Sequence, residues 1–180
     1  LGNISPELQL SVLDQCKDVS FVVADTMDLW INIALEPLKQ VISRVDMLML
    51  NDSEAELLTG HRGIRKAAAA ILEMGPRYVV VKRGEHGAIL FSPEGIFIVP
   101  AYPVNEVEDP TGAGDSFAGG FLGALVELGS VTETHLRQSL LVGSTVASFN
   151  VESFSLDSLV GLSREDVSVR LTELTRMMMV

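Results

Sequence analysis

Three short apolar runs are the features of this sequence that most restrict its fold. They lie within residues 19–25, 46–50 and 77–84, and helical patterns separate them along the chain. A short apolar run bounded by turn residues is typical of a strand that is buried on both faces of a sheet. Strands that alternate with helices predict an α/β fold, with a mainly parallel sheet covered by helices.

Two further strand patterns, 87–92 and 95–100, flank the turn sequence Pro93-Glu94-Gly95 and predict a hairpin at an antiparallel edge of the sheet. The length suits one core, so we expect a single domain over residues 1–180. The predicted helices cover residues 35–45, 52–61, 63–75, 115–129, 133–149 and 164–178.

The charge balance excludes one class of partner. The chain has 24 acidic and 13 basic residues, which gives a formal net charge of −11. A protein that binds nucleic acid through its phosphates needs a basic face, and the sequence shows none, so we expect no nucleic-acid partner. A nucleotide is not excluded, because local amides, one or two cations and a metal can hold its phosphates.

The sequence also indicates where the protein works. No apolar run is long enough to span a bilayer, and no basic segment followed by an apolar one suggests a secretion signal. Cys16 is the only cysteine, which excludes an internal disulfide and fits a reducing compartment. We therefore expect a cytoplasmic protein with no membrane partner.

The stretch DPTGAGDSFAGGF, residues 109–121, carries the strongest chemical pattern. Gly112, Ala113 and Gly114 can turn tightly enough for successive N–H groups to face one anion, and the following helix adds its positive dipole end. Asp115 would repel a phosphate there unless a hydroxyl group lay between them and gave up its proton. The pattern predicts phosphoryl transfer to an alcohol. For so short a motif, an acid in the first turn of a helix without any function stays an alternative.

Glycines inside the following helix need an explanation of their own. Gly119, Gly120 and Gly123 each cost about 1 kcal/mol relative to alanine in a helix interior. A neighbouring element that packs closely, or a ligand, would account for them.

Residues 109–121 resemble the C-terminal signature of the ribokinase-like carbohydrate kinases, the PfkB family, with its pattern D-T-T-G-A-G-D-x-F-x-x-G-F. Only Pro110 departs from that pattern. The resemblance implies a ribokinase-like fold with a mostly parallel, Rossmann-like sheet. It also implies ATP-dependent phosphoryl transfer to a hydroxyl of a sugar or nucleoside, with Asp115 as the base and residues 112–114 as the anion hole.

Residues 49–60 resemble the N-x-x-E motif of the same family, here Asn51 and Glu54. The resemblance implies that these side chains act through water on the magnesium ion that bridges the phosphates of ATP. An asparagine followed three residues later by a glutamate is also a helix-capping arrangement that needs no metal. Both interpretations stay open.

Residues 79–88 resemble the strand and turn that contact the nucleotide phosphates in the family, which implies that role for Lys82 and Gly84. A solvated lysine at a strand end is the alternative. Residues 25–31 follow the first strand at the edge where ligands gather in open α/β sheets, so Asp25 or Asp28 is expected to face the cleft.

Two further sets of residues follow from the resemblance. The family places adenine against the helix that contains Gly143 and Ala147 here, although small residues also serve helix packing. Potassium-activated members hold the ion beside the anion hole, which makes Asp109 and the carbonyl of Thr111 candidates for a monovalent-cation site.

The resemblance covers the chain but only the C-terminal part of a family member, without the N-terminal half and the β lid that hold the sugar. Such a divided sheet exposes an apolar edge, which predicts self-association, for example as a homodimer. Two alternatives stay open: a truncated, non-catalytic nucleotide-binding module, and a kinase for pyridoxal or hydroxymethylpyrimidine from the same superfamily.

Overall fold

The computed structural model describes residues 1–179, which divide into two compact units. The first contains Leu1–Arg83 and Ile89–Phe97, and the second contains Gly84–Ala88 and the described residues from Ile98 onward. The single domain expected over residues 1–180 stays a prediction.

Five strands form one sheet in the order β1-β2-β3-β4-β5. The first three are parallel: Val23 pairs with Met47, and Met47 pairs with Tyr78. The last two form the antiparallel edge, which confirms the predicted fold class. The strands are β1 (Val23–Asp25), β2 (Met47–Asn51), β3 (Tyr78–Lys82), β4 (Ala88–Ser92) and β5 (Gly95–Val99).

The helices follow the expected alternation with the strands. Ser5 caps the first helix, which has Pro6 at its first position, where the missing N–H costs nothing. A short 3₁₀ turn, Gly84–His86, follows β3. The helices are α1 (Pro6–Gln15), α2 (Asp28–Ile33), α3 (Leu35–Ile42), α4 (Asp52–Thr59), α5 (Ile64–Leu72), α6 (Ala113–Leu128), α7 (Glu133–Asn150) and α8 (Arg164–Met177).

The core of the first unit explains the apolar strand runs. Met47, Leu48, Met49 and Leu50 of β2 are all inaccessible to solvent, as expected for a strand covered on both faces. One apolar cluster joins side chains of β2 and β3 to helices α2 to α5, so apolar burial fixes these helices on the sheet. The cluster includes Ile31, Leu38, Ile42, Leu48, Leu50, Ala55, Ala67, Ile71, Val79 and Val81.

Element boundaries differ from the expected ones near the first strand. β1 begins at Val23 rather than at residue 19, because the Val22 N–H donates to the side chain of Asp46 at 2.7 Å. Residues 28–33 form a helix, α2, which the sequence analysis did not predict because no apolar periodicity marks it.

In the second unit, α7 packs against α6 and α8. A side chain on Gly120 would come within 3.0 Å of Val146, so this glycine admits the neighbouring helix. Gly119 and Gly123 have nothing within 4 Å of such a side-chain position. Close helix packing therefore accounts for one of the three glycines of α6.

Arg170 of α8 ties the second unit together. Its guanidinium lies 3.5 Å from the ring centre of Phe149 and 4.8 Å from that of Tyr102. It also donates to Glu152 at 2.7 Å. A planar cation between aromatic rings combines packing with charge pairing, which holds α8 against α7. Over residues 1–179, the model contains no helix with both the length and the apolar character of a membrane span.

Candidate active site

The carboxyl ends of three parallel strands bring together the polar residues of the first unit. Asp25 ends β1, Asn51 ends β2 and Lys82 ends β3, and Asn51 pairs in register with Lys82. Glu54 lies in the first turn of α4, directly after β2. We call Asp25, Asn51, Glu54 and Lys82 the edge cluster. This is the sheet edge at which ligands bind in open α/β folds.

Lys82 is already paired inside the edge cluster. Its ammonium Nζ lies 2.5 Å from Oδ2 of Asp25, and only 17% and 19% of the two side chains are exposed. Partial burial strengthens such a pair relative to one in open solvent. Of the two acids that residues 25–31 offered, Asp25 contacts a predicted site residue and Asp28 is exposed.

Asn51 and Glu54 close the start of α4 reciprocally. Oδ1 of Asn51 accepts from the Glu54 N–H at 2.8 Å, and Oε2 of Glu54 accepts from the Asn51 N–H at 2.8 Å. The capping interpretation is therefore realised in the structure. Burial raises the pKa of Glu54 above its ordinary value, while the Asn51 N–H and the charge of Lys82 act against that shift. Asp25 and Asp28 add to the rise through like-charge repulsion.

The start of α6 has no side-chain cap, whereas the start of α4 has one. We call the uncapped start of α6 open and the capped start of α4 closed. Gly112 precedes the helix at φ +82°, a left-handed conformation that glycine adopts without strain, and it offers no capping side chain. Within residues 1–179, the N–H groups of Gly112, Gly114 and Asp115 have no hydrogen-bond partner. We call these three N–H groups the amide cradle. Together with the helix dipole they form an anion-binding arrangement.

Ala113 differs from its two neighbours in the predicted anion hole. Its N–H donates to the carbonyl of Pro110 at 3.2 Å and so closes the turn that leads into α6. The sequence predicted all three N–H groups as donors to the anion, because a run of small residues does not show which N–H is hydrogen-bonded within the turn. We therefore leave the Ala113 amide out of the cradle.

Asp115 lies in the first turn of α6 with its side chain exposed to solvent. No ion pair joins its carboxylate to another residue of the described chain. The carboxylate and the amide cradle thus belong to the same helical turn. This arrangement can present a proton acceptor next to donors for an anion.

Behind the cradle lies a buried side chain that the sequence did not single out. Asn150, the last residue of α7, is inaccessible to solvent, and its Nδ2 donates to the carbonyl of Ser155 at 2.7 Å. Its Oδ1 has no hydrogen-bond partner in the described chain and lies 3.5 Å from the point where a side chain on Gly112 would begin. No sequence pattern indicated this role, because the buried face of α7 carries several other polar residues, among them Ser139, Ser144 and Ser148.

Asp109 joins two loops of the second unit. Its Oδ1 accepts from the Thr111 N–H at 2.9 Å, and its Oδ2 accepts from the Ser155 N–H at 3.3 Å. Hydrogen bonds from the hydroxyl and the N–H of Thr111 lower the pKa of Asp109. Ser155 has φ +56°, which is unusual for a residue with a side chain, and both its backbone groups are held, by Asp109 and Asn150.

The remaining predicted residues lie at different degrees of burial. Gly84 is exposed at φ +53° and its carbonyl accepts from the Gly87 N–H at 3.0 Å. A side chain on Gly143 would come within 2.6 Å of the carbonyl oxygen of Phe117, so this buried glycine admits α6. Helix packing therefore accounts for this glycine, and its expected adenine contact stays a prediction. Ala147 is half-buried, and its adenine contact stays a prediction.

Comparison with known proteins extends these findings. The family model described as pfkB family carbohydrate kinase matches residues 8–160. The cytidine kinase of Thermococcus kodakarensis is 41% identical over 88 residues, which cover 47% of this chain and 31% of that protein. The chain thus matches about a third of the length of this relative.

Solved structures show the same fold over most of the chain. The nucleoside kinase of Methanocaldococcus jannaschii superimposes with a TM-score of 0.77 and 25% identity, covering 96% of this chain and 55% of that one. A protein described as ribokinase II of E. coli, solved with ATP and Mg²⁺, has a TM-score of 0.70 and 29% identity. That match covers 85% of this chain and 49% of the other.

Proposed function

Because this chain belongs to the pfkB family of carbohydrate kinases, we propose that it carries the nucleotide-handling residues of an ATP-dependent kinase. The acceptor is a hydroxyl group of a sugar or a nucleoside. The observation that carries the proposal is the start of α6, where unpartnered N–H groups and the carboxylate of Asp115 share one helical turn. Relatives named as kinases of cytidine and of nucleosides support the same substrate class.

In the proposed reaction, the bond between the γ-phosphorus of ATP and the β–γ bridging oxygen breaks, and a new bond forms to the acceptor oxygen. The carboxylate of Asp115 takes the proton of the acceptor hydroxyl. The N–H groups of Gly112, Gly114 and Asp115 donate to the oxygens of the migrating phosphoryl group, whose negative charge they balance. ADP leaves with the electron pair of the broken bond.

Asn51 and Glu54 are the residues proposed to support magnesium through bound water. The donor set fits this role, because the capping box uses only Oε2 of Glu54 and leaves Oε1 of the carboxylate for an outer ligand. Magnesium, when bound, neutralises phosphate charge and keeps several of its waters. Lys82 and Gly84 are proposed to contact the phosphates, and Gly143 and Ala147 the adenine.

A monovalent cation such as potassium is proposed beside the amide cradle. Asp109 supplies a carboxylate there, and the carbonyl of Thr111 is the second proposed ligand. The unpartnered Oδ1 of Asn150 in the same part of the second unit supports the proposal, since a buried acceptor without a donor is unusual. Carbonyl oxygens can replace the hydration waters of potassium, and a carboxylate adds a compensating negative charge.

The test is a phosphotransfer assay with a panel of sugars and nucleosides, comparing the 180-residue chain with Asp115→Asn. Loss of the base is expected to lower turnover by about 10²- to 10⁴-fold. Glu165→Gln is the matched control, because it removes an exposed first-turn acid from α8 in the same unit. It should leave turnover unchanged.

The same assay separates the other candidate functions. ATP binding without turnover on any acceptor would favour a non-catalytic nucleotide-binding module. Transfer to pyridoxal or hydroxymethylpyrimidine would favour a vitamin kinase. Equal turnover by wild type and Asp115→Asn would contradict the assigned base.

The predicted homodimer stays a prediction.

A further inference from the structure

Two basic residues stand side by side at the end of β3, and their surroundings differ. The ammonium of Lys82 is held by Asp25 at 2.5 Å, so the two charges largely cancel at the distance of a ligand. Arg83 follows directly and is half-buried. Within residues 1–179 it forms no ion pair, and its buried Nε has no hydrogen-bond partner.

The unpaired state of Arg83 is unusual in this acidic chain. The sequence has 24 acidic residues for 13 basic ones, so partners are abundant. The other half-buried basic side chains of the described chain are all paired: Lys39 with Glu36, Lys82 with Asp25, Arg137 with Glu133 and Arg170 with Glu152. A partly buried cation without a counter-charge is costly, and an anion bound at the terminal nitrogens of the guanidinium would offset that cost.

The position of Arg83 indicates which anion that is. It directly follows Lys82, the last residue of β3, and so lies at the carboxyl end of a parallel strand. A guanidinium presents planar, paired donors that match the oxygens of a phosphate group. We propose that Arg83 binds the phosphates of the nucleotide and contributes more to its affinity than Lys82 does. This inference rests on the proposed function.

Calorimetric titration of the 180-residue chain with ATP and Mg²⁺ tests the inference. Arg83→Met is expected to weaken ATP binding by about tenfold or more, and the double variant Asp25→Asn/Lys82→Met, which removes both charges of the pair together, by less. Arg83→Gln serves as a second neutral variant in case Arg83→Met does not fold, and it should give a similar loss. Arg77→Met is the matched control, because Arg77 precedes the other end of β3 and lies on the ring of Tyr78. Its affinity should stay within about twofold of wild type.

The salt dependence of binding separates a phosphate contact from a purely structural role. The affinity of wild type should fall steadily as salt rises, and that of Arg83→Met should fall less steeply, because one charged contact is missing. Equal affinity and equal salt dependence in wild type and Arg83→Met would overturn this inference alone. A larger loss in the double variant Asp25→Asn/Lys82→Met would overturn the order of the two contributions. Absence of ATP binding by wild type would overturn the proposed function and this inference together.

Discussion

The starts of α4 and α6 treat the same physical problem in opposite ways. Each helix begins with N–H groups that have no partner inside the helix. In α4 the side chains of Asn51 and Glu54 satisfy two of them by reciprocal hydrogen bonds. In α6 the preceding residue is Gly112, and three N–H groups stay unpartnered within the described chain. A closed start serves the fold, and an open start leaves its donors available for the phosphoryl group of the proposed reaction.

The open start has a cost that the closed one avoids. A capping side chain is worth about 1 kcal/mol, and α6 forgoes it. The turn before α6 also requires the left-handed conformation at Gly112, which restricts that position to glycine. These are the costs expected of a binding loop. They give the comparison a direct experimental test at each helix start.

Among the substitutions that compare the two helix starts by stability and ATP binding, Gly112→Ala at the open start is expected to have the largest effect. Alanine disfavours the left-handed conformation by about 1–2 kcal/mol, so the protein loses stability and the amide cradle loses its arrangement. ATP affinity should fall by about tenfold. Denaturant unfolding measures the first effect, and calorimetric titration with ATP measures the second.

Gly129→Ala is the control for that experiment. Gly129 ends α6 at φ +73° and has nothing within 4 Å of a new side chain, so its backbone cost is similar. It lies at the opposite end of the helix, and ATP affinity should stay unchanged. Equal loss of ATP affinity in both variants would mean that the open start has no special role.

A smaller effect is expected from Asn51→Ala at the closed start. Removal of the cap should lower the free energy of unfolding by about 1 kcal/mol, because the Glu54 N–H loses its acceptor. Denaturant unfolding is the measurement. Ser163→Ala removes the equivalent cap of α8, where Ser163 and Asp166 form the same capping box, and it should cost a similar amount. If Asn51 supports magnesium, only its variant should also weaken binding of ATP with Mg²⁺.

The sequence predicted the fold better than it predicted the hydrogen bonding of the site. The apolar runs of β2 and β3 correspond to strands buried on both faces, because continuous burial leaves a plain pattern. The helix α2 was missed, since its six residues are too few to show a period. The prediction for β1 was too long at its start. The Val22 N–H donates to the side chain of Asp46, which is remote in sequence, and the strand begins only after Val22.

Within the site, the sequence motif identified the positions of the residues but not the hydrogen bonds that they form. Gly112 and Asp115 are marked by the spacing of the motif, whereas the turn that engages the Ala113 N–H depends on backbone geometry alone. Small residues at a helix contact and at a ligand contact look the same in sequence, so the sequence left both roles open for Gly143. The ion pair between Lys82 and Asp25 joins residues that are far apart in the chain. No local sequence pattern could have predicted it.

The smallest effect concerns the pH dependence of the two capping boxes. Burial raises the pKa of Glu54 above its ordinary value of 4.5, so the folded protein holds that proton more tightly than the unfolded chain does. The free energy of unfolding therefore falls as pH rises above about 4.5. The cost of burying the charged Glu54 carboxylate is fully present near pH 7. Glu54→Gln keeps an acceptor for the Asn51 N–H without the charge. It should be slightly more stable than wild type near pH 7, and the gain should vanish as pH falls below about 4.5.

Asp166→Asn in the exposed box of α8 should show the opposite sign. Hydrogen bonds from Ser163 lower the pKa of Asp166 below its ordinary value of 3.8, so its carboxylate stabilises the fold above that pH. The variant should be less stable than wild type near pH 7, with a difference that fades in acid. Urea unfolding at several pH values measures both variants. If Glu54→Gln and Asp166→Asn shift stability in the same direction near pH 7, burial does not distinguish the closed start of α4 from an ordinary surface cap.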